Sequence, residues 1–167
     1  MQAHGAGIIK VNGIYYMVGE DKGKQSRFPN VNCYSSPNLV EWTHVGTLLN
    51  EQALRDYRVI ERPKVIFNAR TKKYVLYMHL DSGDYKQAKV GVGTGDSVCG
   101  KYQFIRGFRP LGKESRDMGL YQDEDGSAYL LSEDVRLSTH ILGNCAKILS
   151  DLRDSAFTSC PTITWTP

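Results

Sequence analysis

The sequence lacks several features that mark large classes of proteins. No apolar run approaches the roughly 18 consecutive residues that cross a bilayer, and no charged-then-apolar leader precedes residue 10. The net charge is only +3, with basic residues scattered among acidic ones. The clustered Lys/Arg surface of a nucleic-acid binder is therefore missing, and we expect neither a membrane nor a nucleic-acid partner.

Cysteine is also scarce. The four cysteines, Cys33, Cys99, Cys145 and Cys160, form no CxxC pair, which argues against a zinc site. One disulfide, two disulfides or none are all compatible with four cysteines. The redox compartment is therefore not fixed by the count.

Long helix-forming runs of Leu, Ala and Glu are few, whereas the 167 residues include 10 tyrosines and 16 glycines. This composition favours strands over helices. The best helical candidate, NEQALRDY at residues 50–57, is barely two turns long. With 41% apolar and 23% charged residues, we predict a globular, all-β chain.

A hairpin pattern occurs three times. Its copies begin at His4, Glu61 and Asp117, which are 57 and then 56 residues apart. In the first and third copies a glycine follows the start by nine residues and a tyrosine by twelve. The second copy has a longer turn, NARTKK, and its tyrosine, Tyr74, comes thirteen after the start. The pattern is typical of an internal structural repeat.

Each of the first two copies continues into a second strand pair, at residues 31–46 and 90–107. Units of four short strands at this period are typical of propeller blades. We expect Trp42 and Tyr102, which occupy similar places in these pairs, to pack between blades. The sequence thus predicts about three blades of four antiparallel strands.

The three starting positions are expected to meet. The first strand of each blade lines the axis of a propeller, so His4, Glu61 and Asp117 would converge at one end of the channel, beside Arg62 and Arg116. An alternative stays open for each carboxylate, which could simply accept backbone N–H bonds or pair with a neighbouring arginine.

The stretches AHGAGIIKVNGIYYMVGEDK, IERPKVIFNARTKKYVLYMHLDSGDY, AKVGVGTGDSVCGKYQF and FRPLGKESRDMGLYQDEDGSAYLLSED together resemble family 43 glycoside hydrolases, most closely the exo-β-1,3-galactanase (galactan 1,3-β-galactosidase) branch. The resemblance implies a five-bladed propeller, of which this chain would hold a part. We expect residues 1–134 to be its N-terminal blades and the chain to be a fragment. For residues 135–167 two interpretations stay open, the rest of the third blade or a disordered tail.

The resemblance also implies an inverting mechanism with three acidic positions. Inversion needs two carboxyl groups about 6.5–9.5 Å apart, with water between one of them and the sugar. Asp117 matches the acid-tuning Asp of the third blade. The first-blade base position falls at Gly5, a departure shared by the galactanase branch. The proton-donating Glu and the Gln thought to replace the base would lie in blades outside this chain.

We expect Asp117 and Glu61 to be the catalytic-site carboxylates of this chain. The resemblance implies that Glu20, Arg62 and Tyr85 contact galactose, and His4 would be a substrate contact beside them. Two structural alternatives stay open: Tyr85 could be a loop tyrosine without a binding role, and Glu20 could be a turn carboxylate.

The expected function is a glycosidase acting on β-1,3-galactan, weak or inactive as this chain alone. The alternative is a non-catalytic carbohydrate-binding propeller, whereas a WD-type interaction propeller lacks its GH…WD signature here. No cofactor and no metal site is expected, although some family members hold calcium in the channel. An extracellular location is implied by the resemblance alone.

Overall fold

The computed structural model describes residues 1–23, 30–54, 57–133, 144–148 and 157–159. Within these ranges there are twelve β-strands and no α-helix. The strands are β1 His4–Val11, β2 Ile14–Asp21, β3 Asn30–Ser36, β4 Thr43–Asn50, β5 Val59–Asn68, β6 Lys73–Asp81, β7 Lys89–Gly95, β8 Tyr102–Phe108, β9 Met118–Gln122, β10 Ala128–Ser132, β11 Asn144–Ile148 and β12 Phe157–Ser159.

The strands form three four-stranded sheets, each built from four consecutive strands that pair with their neighbours in chain order. Every described pair is antiparallel. The third sheet takes its last two strands, β11 and β12, from the segment after Asp134. The prediction of an all-β chain with three four-stranded units is confirmed.

The predicted short helix is a single 3₁₀ turn at Glu51–Leu54, with another at Pro110–Gly112. Leu54 is 1% exposed and belongs to the core between the first two sheets. Burial of this one leucine therefore holds the turn in place, because a helix this short has little stability of its own. No described helix is long and apolar enough to cross a membrane.

Apolar side chains fill the spaces between successive sheets. The space between the first and second sheets holds the larger cluster: Val18, Val31, Cys33, Leu48, Leu49, Leu54, Ile60, Val65, Leu76, Met78, Leu80, Val98 and Tyr102. Between the second and third sheets lie Val75, Tyr77, Val90, Val92, Phe108, Met118 and Leu130. Neighbouring residues of β6 alternate between the two clusters, as the period of two in a strand requires.

Cys33 on β3 and Cys99 on the turn after β7 form a disulfide with a Cα–Cα distance of 5.4 Å. It joins the first sheet to the second inside the larger cluster. Of the alternatives left by the sequence, at least one disulfide is therefore present. The side chains of Cys145 and Cys160 lie outside the described residues.

The two aromatic residues of the second strand pairs behave differently. Tyr102 is 6% exposed and packs in the larger cluster, as expected. Trp42 instead donates its indole N–H to the carbonyl of Leu39, 3.1 Å away, within its own exposed turn. Trp42 belongs to neither apolar cluster between the described sheets, so the expected inter-blade packing of Trp42 stays a prediction.

The tyrosine pattern is shifted by one residue in the second repeat. Tyr74 pairs with Phe67, six residues after Glu61, and Tyr15 pairs with Lys10, six residues after His4. Tyr74 is thus the counterpart of Tyr15 rather than Tyr16. The loop joining β5 to β6 is two residues longer than the loop joining β1 to β2, and a shift of one residue moves a side chain to the other face.

A cavity of about 270 Å³ separates the first strands of the three sheets. Its walls come from β1, β5 and β9, namely Gly7, Ile8, Ile9, Lys10, Lys64, Val65, Ile66, Leu120 and Gln122. The first strand of each repeat therefore faces a shared space, which is the arrangement expected around the axis of a propeller.

Candidate functional site

The first and second sheets begin with the same backbone irregularity. The pairing of β1 with β2 shifts by one residue between His4 and Gly7, and that of β5 with β6 shifts between Glu61 and Lys64. Each bulge contains a residue in the left-handed region, Gly5 with φ 54° and Arg62 with φ 55°. Such bulges are common near functional sites because they re-aim side chains.

Gly5 is tightly enclosed. A Cβ at this position would lie 3.0 Å from Glu20 Oε1 and 3.1 Å from the Arg62 backbone nitrogen. Together with its positive φ, this close approach favours glycine. An acidic side chain at this position would require its neighbours to move. The packing around Gly5 therefore favours glycine over the aspartate expected at the first-blade base position.

Glu20, Lys22 and Glu61 form the centre of the site. Lys22 Nζ donates to Glu61 Oε1 at 3.0 Å and lies 3.0 Å from Glu20 Oε2, although the second contact lacks hydrogen-bond geometry and leaves Oε2 without a hydrogen-bond partner. Burial raises the pKa of Glu20, which is 2% exposed, and Lys22 only partly opposes this effect. Burial lowers the pKa of Lys22, but the close contacts with the carboxylates of Glu20 and Glu61 outweigh burial and raise the pKa overall.

Glu61 also accepts hydrogen bonds from two other directions. Tyr85 donates its hydroxyl to Oε1 at 3.2 Å, and His79 Nδ1 lies 3.2 Å from Oε2. Burial opposes ionisation of Glu61, but Lys22 and His79 together outweigh it and lower the pKa of this carboxyl. Glu61 is therefore an ionised carboxylate with a fixed orientation.

Asp117 lies just before β9 and pairs with Arg62 across the sheets. Arg62 donates Nε to Oδ1 at 2.9 Å and Nη2 to Oδ2 at 2.8 Å, the bidentate geometry that arginine makes with carboxylates. The hydrogen bonds and charge of Arg62 hold the pKa of Asp117 below its usual value. The Asp117 side chain is 57% exposed, so this carboxylate faces solvent more than Glu61 does.

The sequence prediction overlooked His79 and Asp81. Both lie on β6 and are 1% and 0% exposed, and their ring nitrogen Nε2 and carboxylate Oδ2 are 3.0 Å apart. Two polar residues in the otherwise apolar run YVLYMHLD were the available signal, because buried titratable groups are rare unless paired. Their partners could not be read from that run.

Lys64 was also overlooked. Its Nζ donates to the carbonyls of Gly5 at 2.7 Å and Ala6 at 3.3 Å, which lie in the bulge of β1. Burial, with the charge of Arg62 adding to it, lowers the pKa of Lys64 to about 8. This lysine therefore joins the two bulges from the side of the cavity.

The predicted residues are placed as follows. Glu20, Glu61 and Tyr85 belong to one hydrogen-bonded and ion-paired cluster through Lys22, and Arg62 and Asp117 form a pair beside it. His4 faces Glu20 across the strands, but its ring Nε2 lies 3.1 Å from Gln2 Oε1 on the exposed rim. Within the described residues no group of three or more His, Cys, Asp and Glu side chains is arranged to hold a metal ion.

Acceptors, donors and a tyrosine around a partly open site suit a ligand with several hydroxyl groups. Glu61 and Asp117 are held ionised, and Glu20, the carboxyl whose pKa is raised, is almost fully buried. The described residues therefore provide anionic acceptors but no exposed carboxylic acid suited to donate a proton.

Residues 3–152 match the profile of the family described as glycosyl hydrolases family 43. The chain is similar to the crystal structure of an exo-beta-1,3-galactanase from Phanerochaete chrysosporium with galactose, with 36% identity and a TM-score of 0.85. It is also similar to an exo-beta-1,3-galactanase from Clostridium thermocellum, with 31% identity and a TM-score of 0.84. Among curated protein sequences, none matches the chain.

These alignments cover 95% of this chain in both cases, but only 38% of the first protein and 36% of the second. The chain thus spans little more than a third of the length of either protein. The predicted resemblance and the predicted partial propeller are confirmed by these matches.

Proposed function

Because the chain belongs to glycosyl hydrolase family 43, we propose that its site binds a terminal galactose of β-1,3-galactan and forms part of an inverting glycosidase. The exo-beta-1,3-galactanases to which the chain is similar support this substrate. Glu61 and Asp117 are the catalytic-site carboxylates, and Glu20, Arg62, Tyr85 and His4 surround the sugar.

The observation that carries the proposal is the state of Glu61. An ionised carboxylate offers about four lone-pair positions. Lys22 and Tyr85 occupy two positions on Oε1, and His79 occupies one on Oε2. One acceptor position remains on Oε2 of a side chain that is 21% exposed, and a sugar hydroxyl can donate to it.

Asp117 has a different role in the proposal. Its charge is fixed by Arg62, and its side chain is more exposed than that of Glu61. As an ionised carboxylate beside the sugar it would orient the substrate and raise the pKa of a nearby proton donor, because like charges disfavour a second ionisation.

Hydrolysis by this chain alone is expected to be weak or absent. A positioned general acid contributes about 10²–10⁴-fold in rate, and the described residues supply no exposed carboxyl with a raised pKa. The same observation favours a second candidate function, carbohydrate binding without catalysis.

Titration calorimetry of the 167-residue chain with β-1,3-galactobiose, together with a reducing-sugar assay, tests both functions. We expect Glu61→Gln to weaken binding by roughly tenfold or more, since hydrogen bonds to charged groups contribute about 1.5–3 kcal/mol. Asp96→Asn is the matched control, because Asp96 is an exposed carboxylate paired with Lys73 on a turn.

Binding without product supports the carbohydrate-binding function for this chain, and product formation rules it out. Equal affinity for xylobiose would contradict the assignment to galactan. Hydrolysis that Glu61→Gln or Asp117→Asn abolishes would show that this chain already holds the groups needed for catalysis.

A further inference from the structure

His79 contacts a carboxylate on each side of its ring. Nδ1 lies 3.2 Å from Glu61 Oε2 and Nε2 lies 3.0 Å from Asp81 Oδ2, while the side chain is only 2% exposed. Ionised carboxylates only accept hydrogen bonds. Each ring nitrogen must therefore carry a hydrogen for both contacts to be favourable, and an imidazole with two N–H groups is a cation.

Asp81 is anchored so that it cannot turn away. Its Oδ1 accepts the backbone N–H groups of Ser82 at 2.9 Å and Gln87 at 2.7 Å, and its Oδ2 accepts that of Ala88 at 3.1 Å. Arg116 Nη1 lies 3.4 Å from Oδ2. Several donors around a fully buried carboxylate favour its ionised form, so the proton between Asp81 and His79 belongs on the ring.

The two groups that contact the ring directly are both carboxylates, and each is also paired with a cation, Glu61 with Lys22 and Asp81 with Arg116. Glu20 and Lys64 lie further out in the same cluster, where their opposite charges act on each other. A positive ring makes a favourable contact with both carboxylates, whereas a neutral ring would turn one unprotonated nitrogen toward a carboxylate oxygen in a buried place.

We propose that His79 is a buried imidazolium that positions Glu61 for the sugar, an inference that rests on the proposed binding function. It holds Oε2 from behind, so that the remaining acceptor position of that oxygen faces the site. His79 is therefore a positioning residue. It acts through Glu61 and not through contact with the sugar.

The hydrogen bonds of Asp81 and Arg116 also hold the loop that carries Tyr85. Arg116 Nη2 donates to the Tyr85 carbonyl at 2.9 Å, and Asp81 holds the same loop through Ser82, Gln87 and Ala88. Tyr85 and Ala88 both have positive φ, 57° and 43°, and such conformations persist where the surroundings fix them. Asp81 thus positions two groups that contact Glu61. These groups are the ring of His79 and the loop that carries Tyr85.

Nitrogen NMR of the sugar-free, ¹⁵N-histidine-labelled chain at pH 7 tests the charge. We expect both ring nitrogens of His79 to show one-bond coupling to hydrogen. A single protonated nitrogen would overturn the proposal, because the proton would then sit on a carboxyl or be absent. His44, an exposed histidine on β4, provides the reference signal.

The positioning role is tested by affinity for β-1,3-galactobiose. We expect His79→Leu to raise Kd by roughly 10–100-fold, as the loss of a hydrogen bond to a charged group implies. His79→Gln keeps a donor for Glu61 and should recover part of that loss, whereas His44→Gln should leave Kd unchanged. An unchanged Kd in a folded His79→Leu variant, or no recovery by His79→Gln, would overturn the role.

Thermal unfolding of each variant establishes that it is folded before its affinity is compared. If His79→Leu does not fold, the comparison of His79→Gln with the unchanged chain decides the role. Failure of the unchanged chain to bind any galactobiose would overturn the proposed function instead, and the NMR measurement would still decide the charge of His79.

Discussion

The two spaces between the sheets differ in how they are held together. Between the first and second sheets, the described residues contribute the larger apolar cluster, the Cys33–Cys99 disulfide and the ion pairs of Lys22 with Glu20 and Glu61. Between the second and third sheets, they contribute a smaller cluster, the contact of Arg116 with Asp81, and the pair of Arg62 with the largely exposed Asp117. Glu61 therefore has a rigid setting, and Asp117 a looser one.

The difference matters for the chemistry. A carboxylate that recognises a sugar benefits from a fixed orientation, because less order is lost on binding. Asp117 lies on the less firmly packed side, between the second and third sheets. We therefore expect Asp117 to lose more conformational freedom than Glu61 when a ligand binds.

Removing the disulfide should have the largest effect on this comparison. Cys33 and Cys99 are 66 residues apart, and closing a loop of that length stabilises the folded state by about 4 kcal/mol in the chain-entropy description. We expect Cys33→Ser to lower the free energy of unfolding by about this amount, measured by urea denaturation without reductant.

The double variant Cys33→Ser with Cys99→Ser is the control for that experiment. Adding reductant should destabilise the unchanged protein at this interface but should have no such effect on the double variant. Equal stability of the unchanged and single-variant proteins would show that the apolar cluster alone holds the first two sheets together.

Truncating the smaller cluster comes next. Leu130 on β10 is 0% exposed, and burial losses of this kind cost about 2–5 kcal/mol. We expect Leu130→Ala to speed amide hydrogen exchange in β9 and β10 while β1 to β4 stay protected. The matched change at the first interface, Leu76→Ala, should affect both sheets that it touches. Uniform faster exchange in Leu130→Ala would contradict separate interfaces.

The pair between Arg62 and Asp117 should matter little for stability. Exposed ion pairs contribute about 0–1 kcal/mol, so Arg62→Ala should change unfolding by less than that. The pKa of Asp117, held low by Arg62, should rise toward its usual value, as carboxyl NMR titration would show. The stability from this shift is present above the unfolded pKa and is lost as pH falls through the folded pKa. An unchanged titration would mean that Arg62 does not control this charge.

Much of the fold follows from local pattern in the sequence. Alternating apolar strands and the turn at Asp125-Gly126 predict hairpins, and the repeated spacing places Glu61 and Asp117 at equivalent strand starts. The sequence pattern matched Tyr74 with Tyr16 because it took the second loop to be one residue longer than the first. The loop is two residues longer, so Tyr74 corresponds to Tyr15. The hydrogen bond of Trp42 to the Leu39 carbonyl was not predicted, because the pattern does not show that a turn can satisfy an indole N–H locally.

The site was only partly predictable, for a physical reason. Glu20, Glu61 and Asp117 are polar residues at strand ends and stand out. His79 and Asp81 gain their roles from partners on β5, on the loop before β7 and on the segment before β9, which a single strand does not reveal. Lys64 likewise looks like an ordinary strand lysine until the carbonyls of Gly5 and Ala6 are brought beneath it.

Lys64 gives a test of the first interface by pH. Burial lowers its pKa from 10.5 to about 8, so between these values the unfolded chain holds a proton that the folded chain has released. The free energy of unfolding should therefore rise with pH through this window. Lys22, whose pKa is raised, loses its contribution to the free energy of unfolding only at higher pH.

Denaturation at pH 8 and about 9.5 tests this expectation. The free energy of unfolding should rise less between these pH values in Lys64→Met than in the control Lys101→Met, which removes an exposed lysine. Equal slopes would mean that the ammonium of Lys64 stays on the carbonyls of β1 throughout, with the bulges joined by a permanent charge.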